Sequence, residues 1–236
     1  MKKQNIAVIG YGKFAQTLEK VLPIIFPGIP IDMAKRDIKR AAMAQSIIPA
    51  VPIREFETVI KQLAPLVNES HTIIDVCSVK IHPTQVMKNL LPSSVQILAT
   101  HPMFGPGTLA KTQGSLQGLK IVIDPVRIKK EDLFTISNAL QAQGIEVVPM
   151  SSEDHDKYAA QFHFSSQFIA SVLKDLSIHK TPIDTASVSV LHEFSEFVQT
   201  DSIALLQDMY KYNPYCKRQL EHIQSSVEQI ARSIQS

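Results

Sequence analysis

Short apolar runs bounded by glycine, proline or polar residues recur through the first part of the chain. Most are followed by a stretch whose apolar positions step by three and four. Residues 5–10, 29–34, 72–77, 95–100, 119–124 and 144–149 read as buried strands. Helices are predicted over 14–22 (with Leu18, Val21 and Leu22 on one face and Pro23 helping to end it), 37–45, 55–66, 84–91 and 130–143. Residues 47–53, broken by Pro49 and Pro52, read as a weak strand or loop. The alternation predicts a doubly wound parallel α/β domain over residues 1–150. After Met150 the texture changes. Ser151-Ser-Glu-Asp154 supplies an N-cap and an acidic first turn, and the pattern is helical to the end. Leu220, Ile223, Val227, Ile230 and Ile234 make an apolar stripe that suits either a core or a partner. Residues 151–236 are therefore expected to form a smaller all-helical domain, interrupted near residues 179–183.

Composition narrows the class. An apolar fraction of 44%, a charged fraction of 19% and a net charge of +2 describe an ordinary globular protein. A near-neutral chain with no tryptophan gives no reason to expect nucleic acid or an anionic membrane as partner. No stretch approaches the roughly twenty apolar residues of a membrane span. The apolar run after Met1-Lys-Lys is too short for a signal-peptide core. Cys77 and Cys216 lie far apart and the histidines follow no metal-ligand spacing, so a reduced cytoplasmic compartment and no metal site are expected.

Gly10-Tyr11-Gly12-Lys13-Phe14-Ala15 matches G-x-G-x-x-A between the first strand and the first helix, the fingerprint of a Rossmann-type dinucleotide turn. The first glycine permits the tight turn, the second admits a pyrophosphate, and the small Ala15 lets helix and strand pack closely. The helix N-terminus then offers free N–H groups to the phosphates. At the end of the second strand an acid favours NAD and a cation favours NADP. Asp32 falls inside the strand, whereas Lys35 and Arg36 occupy its tip, so NADP is expected, with NAD possible.

Two later strands deliver candidate chemistry. Asp75-Val-Cys-Ser-Val-Lys80 brings the hydroxyl of Ser78 and the ammonium of Lys80, and His101-Pro-Met-Phe-Gly-Pro106 brings an imidazole in a loop. Ligands bind outside the carboxyl ends of strands in an open parallel sheet, so these groups suit removal of a proton from a substrate alcohol. Asp75, within its strand, reads as structural.

The dinucleotide turn followed by DVCSVK and HPMFGP resembles the prephenate/arogenate dehydrogenase family of tyrosine biosynthesis. His155-Asp-Lys-Tyr-Ala-Ala160 and the Asp201-Ser-Ile and Met209-Tyr-Lys-Tyr-Asn213 segments are similar to the family too, and closest to its arogenate-using, plant-like branch. The resemblance implies oxidative decarboxylation of a cyclohexadienol, with hydride passing to a nicotinamide. It makes His101 the catalytic base and substrate contact, with Ser78 beside it and near the cofactor. It makes Lys80 and, by a looser match, His163 substrate contacts, and implies a homodimer through the helical domain. His155 and Asp156 orient the site or simply form a polar helix turn.

Two departures stand out. Lys211-Tyr212-Asn213 lies where many prephenate-using members carry an arginine for a substrate carboxylate, which favours arogenate. The helical part is also shorter than usual for the family. NADP-dependent conversion of arogenate to tyrosine is the expectation. The rivals are prephenate dehydrogenase with NAD, a reductase of another small ketone or imine, and a non-catalytic nucleotide sensor.

Overall fold

The computed structural model describes residues 5–198 and 202–235. Met1-Lys-Lys-Gln4 and Asp201, both read above, lie outside the described residues. The chain divides into two compact units, Met1–His155 and Asp156–Ser236.

In the first unit, β1 (Ile6–Ile9), β2 (Ile31–Lys35), β3 (Ser46–Pro49), β4 (Thr72–Asp75), β5 (Gln96–Pro102), β6 (Lys120–Arg127) and β7 (Glu146–Pro149) form one seven-stranded sheet in the order β2-β1-β3-β4-β5-β6-β7. The helices between them are α1 (Lys13–Ile25), α2 (Ile38–Ala41), α3 (Ile53–Leu63), α4 (Ile81–Leu90), α5 (Pro106–Lys111) and α6 (Lys130–Ala142). Buried aliphatic residues such as Ile6, Val8, Leu18, Leu22, Leu98 and Ile123 join the sheet to α1 in one core. The result is a Rossmann-like, mostly parallel sheet.

Three expectations change. Helix α1 does not stop at Pro23 but runs through it to Ile25. Pro23 lies on the exposed face, where water can take up the carbonyl that its missing N–H would have bonded, while Leu22 and Ile25 stay buried. Strand β3 is central rather than weak, pairing with both β1 and β4, and Pro49 comes only at its last position. Strand β6 runs antiparallel to β5, with Thr100 opposite Ile123 and His101 opposite Val122. The connection carries only the six-residue α5, not a full crossover helix.

Helix α7 (Ser152–Tyr158) contains the division between the units. The second unit continues through a π-helical turn (Ala159–Phe164), α8 (Ser165–Asp175), α9 (Ala186–Val198), α10 (Ile203–Tyr212) and α11 (Cys216–Ser233). Phe164, Ala170, Leu206, Met209 and Cys216 are buried. Along α11 the apolar stripe is half-buried at Leu220 and Ile223 and open further on: Val227 and Ile230 are each 61% exposed, and Ile234, just beyond it, 80%. Among the described residues, no helix is long and apolar enough to cross a membrane.

Candidate active site

The glycine turn is built for a close approach. Gly10 has φ +128°, and a Cβ there would lie 2.1 Å from the carbonyl oxygen of Ala50 and 3.6 Å from the Cβ of Ala15. Glycine is thus dictated by conformation and by packing. Gly12 is different: a Cβ there would meet nothing within 4 Å. It is the N-cap of α1 and offers no side-chain cap, so no side chain of the cap residue covers the first-turn N–H groups of that helix. Open space over uncapped donors fits a pyrophosphate. Gly10→Ala is expected to cost about 3 kcal/mol of stability, read by urea unfolding, and to abolish dinucleotide binding, read by titration.

Beside the turn, Lys35 takes a left-handed conformation (φ 56°) and its carbonyl accepts from the N–H of Gly10 at 2.7 Å. The chain then carries Arg36 over Tyr11: the guanidinium sits 4.8 Å from the ring centroid and donates to the phenol oxygen. Asp32 is held by Arg40, which donates from Nε to Oδ2 at 2.8 Å and from Nη2 to Oδ1 at 2.5 Å. That hydrogen bond, and then the charge of Asp32, raise Arg40 above the ordinary guanidinium value. Asp37 caps α2 by accepting from the N–H of Arg40.

At the carboxyl ends of β4 and β5 a buried network joins the two strands. Asp75 and Lys80 are fully buried and paired. Lys80 Nζ also donates to the carbonyl of Thr100 at 2.6 Å, Thr100 Oγ1 donates to the Asp75 carbonyl at 2.6 Å, and the Cys77 N–H donates to Asp75 Oδ1 at 2.8 Å. Burial pushes the Asp75 carboxyl upward, and the Lys80 charge opposes it. A completely enclosed ammonium bonded to two neighbouring strands makes Lys80 a structural cross-link and not the substrate contact expected above. Ser78 is half-buried in the turn between these anchors.

His101 is not in a loop. It occupies the last-but-one position of β5, one residue past Thr100, and is 7% exposed. Its Nδ1 lies 2.8 Å from Nε2 of His155, itself 3% exposed, with the ring planes at 70°. His155 is reached because α7 starts where Asp124 of β6 accepts from the Ser152 N–H at 2.7 Å and from its hydroxyl at 2.6 Å. The pairing was invisible in the sequence. The one signal was a histidine in an acidic helix start.

In the second unit, His163 falls in the π-helical turn, an irregularity frequent at functional sites, and is half-buried. Asn213 is buried and donates from Nδ2 to the carbonyl of Asp156 at 2.8 Å. Lys211 Nζ lies 5.0 Å from the Tyr212 ring. Both cysteines are buried, and burial, then the charge of Asp156, push Cys216 up to about 12. Among the described residues, no three His, Cys, Asp or Glu side chains are grouped to hold a metal ion.

Sheet, glycine turn and an imidazole ending a later strand define a class: an oxidoreductase that works with a dinucleotide. Comparison with known proteins narrows it. The family model described as prephenate dehydrogenase, nucleotide-binding domain, matches residues 4–149, and one described as TYRAAT1-like, C-terminal domain, matches residues 172–236. Arogenate dehydrogenases 2 and 1, chloroplastic, from Arabidopsis thaliana are each 29% identical over 98% of the chain, which spans 70% and 39% of their respective lengths. A crystal structure of prephenate dehydrogenase from Aquifex aeolicus has the same fold, with a TM-score of 0.69 at 20% identity over 98% of this chain and 92% of that one. The chain belongs to the prephenate/arogenate dehydrogenase family. The matched domain is described as nucleotide-binding, in keeping with the glycine turn.

Proposed function

We propose that the protein is an arogenate dehydrogenase that prefers NADP and converts arogenate to tyrosine. The observation that carries the chemistry is His101: a buried imidazole, engaged at Nδ1, at the carboxyl end of a strand of the glycine-turn sheet. Three strand spacings separate β1 from β5, a span of roughly 14 Å. Gly10, Tyr11, Gly12, Lys13, Phe14 and Ala15 would hold the pyrophosphate of a dinucleotide, and Ser78 and His101 stand by the carboxyl ends of later strands of the same sheet.

A bound nicotinamide would supply the acceptor for the hydride of the carbinol carbon. His101 Nε2 takes the hydroxyl proton, Ser78 hydrogen-bonds the same oxygen, and loss of carbon dioxide leaves an aromatic ring. A positioned base typically contributes 10²–10⁴-fold. His163 contributes a substrate contact from the helical domain. The preference for arogenate is supported by the relatives named arogenate dehydrogenase and by Lys211 in place of an arginine.

The preference for NADP is supported by the occupation of Asp32. Both of its oxygens accept from Arg40, while Lys35 and Arg36 stand exposed at the strand tip. A 2′-phosphate there gains charge-assisted hydrogen bonds. Residues 1–150 carry the cofactor, and residues 151–236 carry substrate contacts and a homodimer interface, for which the open stripe of α11 offers apolar area. Two buried cysteines in the thiol form fit a reducing cytoplasm.

Mixing the protein with arogenate or prephenate and with NADP or NAD, and following absorbance of the reduced cofactor, tests the proposal. The fastest reduction is expected with arogenate and NADP. Prephenate with NAD as the best pair would reverse the specificity, and dinucleotide binding without turnover would favour a sensor. In the same assay Arg36→Gln is expected to raise KM for NADP by about 10–100-fold, the value of one or two charged hydrogen bonds, with little change for NAD.

A further inference from the structure

We propose that His155 is the positioning residue of the reaction: it selects the tautomer of His101 that can act as a base. The inference rests on the dehydrogenase reading above and extends it to a residue outside the reacting groups.

A neutral imidazole has one N–H and one lone pair. For Nε2 of His101 to take a proton, its hydrogen must reside on Nδ1. The Nδ1 atom of His101 faces Nε2 of His155 at 2.8 Å, and both rings are almost wholly buried. Only two arrangements of a neutral pair satisfy that contact. In one, His101 Nδ1–H donates to the lone pair of His155 Nε2, leaving the lone pair of His101 on Nε2. In the other, His155 donates, and His101 carries its hydrogen on Nε2, where it cannot accept. His155 thus supports catalysis only as the acceptor, with its own hydrogen on Nδ1.

The protein holds this acceptor rigidly. The start of α7 is fixed to β6 through Asp124 and Ser152, and Ser152 Oγ lies 3.0 Å from Thr84 Oγ1 of α4. The backbone N–H of His155 donates to the carbonyl of Ser151 at 2.9 Å. When His101 takes the hydroxyl proton, its Nδ1–H bond to His155 becomes charge-assisted and strengthens. An interaction stronger in the charged state than in the ground state lowers the barrier. The balance is simple: the substrate O–H bond breaks, an Nε2–H bond forms on His101, and no proton has to pass to His155.

The test compares His155→Gln, whose side-chain oxygen can accept near the place of Nε2, with His155→Leu, which cannot. His155→Leu is expected to lower kcat by roughly 10²-fold, the lower end of what a positioned base supplies, with KM for the dinucleotide unchanged. His155→Gln should retain kcat within about tenfold of the parent. Nitrogen-15 spectra of the imidazoles, recorded without substrate, should show His101 protonated at Nδ1 in the parent and in the Gln variant, and shifted towards Nε2–H in the Leu variant.

A Leu variant with parental kcat overturns the proposal, as does a folded Gln variant as inactive as His101→Asn. If the Leu variant does not fold, the Gln variant decides by its rate and its spectrum. Should the parent turn over neither cyclohexadienol, the dehydrogenase reading fails by itself, and the spectra still report whether His155 sets the tautomer.

Discussion

His101→Asn is expected to lower kcat by about 10²–10⁴-fold while dinucleotide affinity stays unchanged. Asparagine is the informative replacement because its amide NH₂ lies near the place of Nδ1 and can still donate to Nε2 of His155. What disappears is the ring nitrogen on the far side, the atom assigned to the substrate proton. The fold should survive, since the buried partner keeps its bond and the β5 backbone pairing with Val122 does not depend on the side chain. The glycine turn is formed by α1 and β1, so cofactor titration should match the parent. Steady-state kinetics paired with that titration make the check. Parental kcat in the variant would remove His101 from the mechanism, and a parallel loss of dinucleotide affinity would show that the substitution had disturbed the sheet edge.

The second large effect is on stability. Lys80→Met is expected to destabilise the protein by about 3–5 kcal/mol, because it leaves a buried carboxylate without its cation. Urea unfolding followed by circular dichroism measures the loss. The double variant Asp75→Asn/Lys80→Met should be less destabilised than Lys80→Met alone, since a neutral amide is far cheaper to bury than an unpaired charge.

The loss should also depend on pH. Burial already pushes the Asp75 carboxyl above its ordinary value of 3.8, and removing Lys80 takes away the opposing charge. Between that ordinary value and the raised native one, the folded protein holds a proton that the unfolded chain has released. The folded state then binds more protons, so stability falls as pH rises. Lys80→Met should therefore lie closer to the parent at pH 5 than at pH 8. A variant that unfolds at the parental urea concentration at both pH values would show that the Asp75–Lys80 pair does not hold β4 to β5. Because the same network carries Thr100, one residue before His101, weakened pairing should also loosen the base, and some loss of kcat is expected with the loss of stability.

Much of the first unit was legible because each strand of a buried parallel sheet is a short apolar run, and each such run is a local property of the chain. The glycine turn was legible for the same reason: Gly10, Gly12 and Ala15 act within one strand, one turn and one helix start. Pro23 misled because a proline is tolerated where its missing bond faces water, and exposure is not written in neighbouring residues. Lys80 misled more deeply. A lysine after a strand looks like a surface or ligand-facing group, and its complete burial follows from Asp75 and from the Thr100 carbonyl twenty residues away.

By itself the sequence determined the alternation of strands and helices, the dinucleotide turn and the identity of the imidazole that ends β5. These depend on periodicity, on glycine at a positive φ and on side-chain chemistry, all of which act over a few residues. Tertiary structure alone decided the antiparallel entry of β6, the enclosure of the Asp75–Lys80 pair and the meeting of His101 with His155 across fifty-four positions of chain. Such contacts arise when distant segments exclude water from a common space, and no local pattern records which polar groups will be left facing one another there.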